Sequence, residues 1–179
     1  MKGVRMRHVL NELLAYHKWA NERFFDLVSM LSPSDYAKDL GSSHGGVRGT
    51  AVHMYNAEYI WLSRLNGQSP RRMFSESYFP DWKTLQAEWL HLEKRLDRIK
   101  TNLNGCADDV IEYTTTAGKK FAQPKWQMLS HFVNHASYHR GQIVTMVRQL
   151  ESEVDAHPHI VIQPLDLISY YRNGQNSKS

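Results

Sequence analysis

Four long stretches of the chain repeat their apolar residues at the helical period of 3.6. The first, about Arg7 to Leu31, sets Leu10, Leu13, Leu14, His17, Ala20, Phe24, Leu27, Val28 and Leu31 on one face, and Ser32-Pro33 ends it. The second, about Val47 to Leu65, carries Val47, Ala51, Met54, Ala57, Trp61 and Leu65 and stops at Asn66-Gly67, a glycine-after-helix signal. The third runs from Asp81 to Leu103 on Trp82, Leu85, Trp89, Leu92, Leu96, Ile99 and Leu103, with Asp81 as N-cap after Pro80. Pro124 opens the fourth at its first turn, and its stripe is Met128, Phe132, Ala136, Ile143, Met146 and Leu150.

The pattern changes between the third and fourth helices. Val110 to Thr116, then Ala117-Gly118, then Lys119 to Ala122 is β-branched with glycine in its turn, and predicts a hairpin. A short helical turn is expected around Ser34–Leu40, a Gly/Ser loop over Gly41–Gly46, and a brief helix from Leu165 to Tyr171. The fold class that follows is all-α: a four-helix up-down bundle with a small β-hairpin inserted before the last long helix. Residues 1–171 make one domain, and the polar tail over 172–179 is expected to be disordered.

Composition narrows the function. With 41% hydrophobic and 22% charged residues in a chain of 179, there is material for one core. The net charge is +4, but basic residues alternate with acidic ones, and Arg71-Arg72 and Lys119-Lys120 are too short for a nucleic-acid track. A single cysteine, Cys106, excludes an intramolecular disulfide framework and any Cys-rich zinc site. No apolar leader and no run near the ~18 residues of a membrane span is present, so the expectation is a cytoplasmic protein with neither nucleic acid nor membrane as partner.

Histidines supply the candidate chemistry. His135 and His139 fall in the stripe of the fourth helix, one turn apart, where Leu or Val would ordinarily sit. A buried imidazole left without partners costs on the order of 1–3 kcal/mol. Two at i and i+4 can converge on one ion. Such a site wants a third ligand from a facing helix, and His53, beside the stripe of the second helix, is the best placed. His131 adds a second i, i+4 pair, and because His131 and His139 are ~12 Å apart along the axis, either His131/His135 or His135/His139 is the pair. The stripe alone leaves that open. His17 reads as a core histidine bonded to a carbonyl or buried water, and His8, His44, His91, His157 and His159 read as surface or loop residues. No Ser/His/Asp set, P-loop or dinucleotide turn is present, and no paired Glu-x-x-His repeats of a di-iron bundle.

With these residues in place, the chain resembles the DinB (YfiT/DinB-like) family of metal-binding four-helix bundles. The resemblance rests on LLAYHKWANERFF, on LGSSHGGVRGTAVHMYNAEYIWLSRLNGQSP, on FAQPKWQMLSHFVNHASYHRGQIVTMVRQL with its HxxxHRGQ signature, and on the closing LDLISYYR. It implies His53, His135 and His139 as the metal ligands and leaves His131 as a neighbour. The chain departs from the commoner pattern at His17, where Asn often stands, and at His44, where Phe is usual. The resemblance also implies a homodimer, and in some members a metal-dependent transferase using a low-molecular-weight thiol such as bacillithiol, mycothiol or glutathione.

Three neutral imidazoles would leave a divalent ion, nickel or zinc above all, with its full charge and an appetite for an anionic ligand. A thiol there would become a thiolate nucleophile, and a water would be acidified. The expected function is therefore a metal-dependent thiol S-transferase acting on small electrophiles. The alternatives are a metal-dependent hydrolase and a non-catalytic, stress-associated metal- or ligand-binding protein. Asn134, Tyr138 and Gln142 are expected beside the ligands. Arg140 is expected to steer an anionic substrate or to pair with a carboxylate at the bundle edge. Glu58 is expected behind the ligands or at the surface.

Overall fold

The computed structural model describes residues 2–102, 107–152 and 160–176. Cys106, His157, His159 and the last turn expected at Leu103 lie outside them. In order come α1 (Lys2–Ser29), α2 (Pro33–Ala37), α3 (Val47–Leu65), a 3-10 turn (Glu76–Tyr78), α4 (Trp82–Thr101), β1 (Val110–Thr114), β2 (Lys120–Pro124), α5 (Lys125–Ser152) and α6 (Leu167–Asn176). This is the expected helical bundle with a two-stranded antiparallel hairpin before the last long helix.

Local chemistry explains most boundaries. Ser32 caps α2 by accepting from the Asp35 amide, with Pro33 at the first turn. α3 closes in a Schellman motif: Gly67 takes φ 75°, its amide donates to Arg64 O, and the Gln68 amide donates to Ser63 O. Asp81 accepts from the Thr84 amide at 2.7 Å and starts α4. Pro124 is placed differently from expectation. It ends β2, paired with Val110, and the ladder passes on through the Lys125 amide to Asp109 O, so α5 begins one residue later. α6 continues past Tyr171 to Asn176, so the segment expected as tail begins as helix.

The directions of the long helices follow from cross-contacts. Trp82 meets Ser29 and Asp97 meets Lys18, so α4 is antiparallel to α1. Trp89 meets Glu58 and Arg95 meets Ser63, so α4 is parallel to α3. His139 faces His53 and His131 faces Trp61, so α5 is antiparallel to α3 and runs alongside α1 in the same sense. The order is up, down, down, up, so the four long helices do not simply alternate in direction. The long connection from Asn66 to Asp81 makes it possible by returning the chain along the bundle, whereas short loops join antiparallel neighbours.

The core joins Leu10, Leu14, Phe24, Met54, Leu62, Trp89, Phe132 and Ile143 from all four long helices. Trp82 and Trp89 are buried, while Trp19, Trp61 and Trp126 pack against the core from its edge. No described helix is long and apolar enough to cross a membrane.

Candidate metal centre

The seam between α3 and α5 gathers the imidazoles. His53 leans from the first half of α3, and His135 and His139 lie one turn apart on the facing side of α5. Nε2 of His53 is 3.2 Å from Nε2 of His135, and the His139 ring centroid lies 4.6 Å from that of His53 and 4.4 Å from that of His135. Nδ1 of His139 donates to Gln142 Oε1 at 2.6 Å, one turn on, which holds the ring and leaves Nε2 as the free ligand atom.

All three rings are held neutral. Burial, reinforced by the charges of neighbouring histidines, pushes His53 and His135 down to about 4. Burial also lowers His139, against the Gln142 bond. A neutral imidazole is the form that ligates a metal.

A fourth ring completes the cluster. His44, in the loop before α3, stacks on His53 with centroids 4.0 Å apart and planes 17° from parallel, and lies 5.7 Å from His139. Among the described residues, the side chains whose ligand atoms all lie within 4.8 Å of one another are His44, His53 and His139. The set expected from sequence shares His53 and His139 with this group, and His135 touches it through His53. Reading His44 as a mere loop residue missed its position. Periodicity carries no information on a Gly/Ser loop, and the only sequence signal was the ring-for-ring exchange where the family has Phe.

The donor set fits a metal. Two imidazole nitrogens bound to one tetrahedral ion at ~2.0–2.1 Å stand about 3.3 Å apart, close to the spacing between His53 and His135. Three of the four rings come from helices packed into the core, and they are nitrogen donors of the kind nickel and zinc accept. Three histidines can therefore form a metal site here.

The model of the DinB family matches residues 6–155. The chain belongs to the DinB family. Protein DinB of Bacillus subtilis (strain 168) is 22% identical to it over 148 residues, which cover 77% of this chain and 84% of that protein.

Other residues singled out in this DinB-family chain fall in different places. His131 is exposed and packs on Trp61 at 4.9 Å, toward the hairpin end of the seam. Tyr138 is 64% exposed, edge-on to His139, and its hydroxyl accepts from Gln142 Nε2. Asn134 does not join them. With Ser137 and Gly141 it lines a cavity of about 790 Å³ toward α1 and the 162–167 segment.

Arg140 is not at the bundle edge. It is 1% exposed, and its guanidinium donates to Asn21 Oδ1 at 2.8 Å and to Ser137 Oγ. Asn21 in turn donates to Glu93 Oε1. His17 is fully buried; its Nε2 lies 3.0 Å from the Asn21 side-chain amide and 3.2 Å from Glu58 Oε1, so this nitrogen faces side chains and not the backbone carbonyl expected. Glu58 also accepts from Trp89 Nε1 at 2.6 Å. A buried polar layer of His17, Asn21, Glu58, Glu93 and Arg140 thus links α1, α3, α4 and α5.

Proposed function

We propose that the protein holds nickel or zinc through His53, His135 and His139 and transfers a low-molecular-weight thiol to small electrophiles. The observation that carries this reading is the 3.2 Å approach of the His53 and His135 Nε2 atoms, on rings kept neutral by burial. A divalent ion bound by neutral ligands keeps its full charge and favours the thiolate form of a thiol that meets it.

The residues around the cluster have matching tasks. Gln142 fixes the tautomer and aim of His139, while Tyr138 offers an exposed hydroxyl beside His139, on the side from which an electrophile would approach. In the transfer, a sulfur–carbon bond forms, the electrophile's leaving group departs with the electron pair, and the thiol proton goes to solvent. The family resemblance adds a homodimer to the proposal.

The test is elemental analysis of the purified protein, followed by turnover of 1-chloro-2,4-dinitrobenzene and of a generic ester. Each would be measured with and without bacillithiol, mycothiol, glutathione or cysteine. Conjugation that needs both metal and thiol is expected. Ester turnover without thiol would favour a metal-dependent hydrolase, and neither reaction in fully loaded protein would favour a binding protein.

A further inference from the structure

His44 is placed with more care than a loop side chain needs for packing alone. Its loop is folded back on itself by an isolated antiparallel bridge, in which the Ser42 and Gly45 amides donate to Gly45 O and Ser42 O, while the Leu40 amide also donates to Gly45 O. The Gly46 amide then donates to His44 O. The loop lies directly against the first turn of α3: a Cβ on Gly49 would stand 1.9 Å from His44 O, and one on Gly46 would stand 2.0 Å from Lys38 O. Two residues without side chains therefore let this backbone approach the helix. The close seat brings the His44 ring over His53, with a ligand atom within 4.8 Å of those of both His53 and His139.

We infer that His44 is a fourth protein ligand of the metal, supplied from a loop, and that an exogenous anionic ligand enters by displacing it. This rests on the metal site proposed above. The four imidazoles differ in how they are held. His53, His135 and His139 ride on long helices packed into the core, so moving any of them disturbs the bundle. His44 sits on a partly exposed loop, and its own carbonyl accepts from the Gly46 amide and not from a helical amide. Exchange of one ligand for another is the whole step: an imidazole leaves, a thiolate or azide takes its place, and a thiol's proton goes to solvent. His44 thus closes the site to casual ligands and selects for those able to compete with an imidazole. An aromatic ring stacked on His53 would preserve the packing without the donor, and that is what separates the two roles.

The experiment uses metal-free full-length protein titrated with cobalt(II), in wild type and in His44→Phe, His44→Ala, His53→Ala and His131→Ala. The readouts are cobalt affinity, the visible d–d bands, and the number of imidazoles seen by X-ray absorption. His44→Phe keeps a ring against His53 and is expected to bind cobalt at least about tenfold more weakly, since even residues behind the ligands change affinity 10–100-fold. It should also show one imidazole fewer, and give azide-dependent spectral changes at lower azide concentration than wild type. Unchanged affinity, bands and imidazole number in His44→Phe would overturn the inference and make His44 a packing residue. If His53→Ala loses cobalt while His44→Phe does not, only this inference falls. If wild type takes up no cobalt, the proposed metal site falls and this inference with it.

Discussion

Nε2 of His53 and Nε2 of His135 lie 3.2 Å apart across the seam of two antiparallel helices, although 81 residues separate them in the chain. Neither ring carries a proton charge at neutral pH, so nothing but a shared hydrogen or a shared ion reconciles two such nitrogens at that distance. His53→Ala and His135→Ala should each strip most of the bound metal, whereas His131→Ala, whose ring packs on Trp61, should retain it. Metal content by mass spectrometry checks this, and full occupancy in His53→Ala would refute the ligand set.

Gly49→Ala should unseat the 41–46 loop. The new Cβ would meet His44 O at 1.9 Å, and forcing an extra methyl into a packed contact costs about 1–3 kcal/mol. Chemical denaturation should show that loss, together with weaker metal binding. Stability equal to wild type would mean that the loop yields freely.

Arg140 lies beside a proposed ligand in sequence but serves the core. Its guanidinium is bonded to Asn21 and Ser137, and Asn21 carries the link on to Glu93. Arg140→Ala leaves these groups buried without their partner and should cost about 3–5 kcal/mol in urea denaturation. A loss under 1 kcal/mol would show that water replaces the guanidinium.

Glu93 gives stability a pH dependence of unusual sign. Burial, with the neighbouring Glu58 charge, raises its carboxyl to about 7. Its folded value lies above its unfolded one, so the folded state binds the extra proton. The contribution is full below the ordinary carboxylate range and is lost as pH rises through about 7. Glu93→Gln keeps an acceptor for Asn21 without the ionisation. Its stability relative to wild type should therefore climb between the ordinary carboxylate range and about pH 7, then level off. A flat difference across that window would rule out a raised carboxyl.

Self-association is the fifth prediction. The tryptophans that suggest surplus apolar surface in the sequence are packed in or against the core, so support narrows to the family resemblance and to exposed residues such as Val9, Val161 and Ile168. Sedimentation at tens of micromolar should give twice 20.9 kDa, and a clean monomer would remove the dimer from the proposal.

Periodicity alone was enough for the long helices, because each buries one stripe and the stripe is written at 3.6-residue spacing. The second helix is found at its expected ends, Val47 and Leu65, since Gly67 supplies the positive φ that the closing motif requires. The inward tilt of His135 and His139 was legible for the same reason. What periodicity cannot encode is which helix faces which. Two helices of the same pattern can pack parallel or antiparallel, and only the long return through the 66–81 connection set α4 beside α3 in the same sense. That arrangement also decided the fate of polar residues on buried faces. His17 and Arg140 were taken into a carboxylate- and amide-lined layer, while Asn134 turned to the opposite side of α5 from the histidines. His44 shows the limit most plainly. A loop has no repeating face, so its direction is set by contacts made after folding, here the close approach to Gly49 that brings a fourth imidazole over His53.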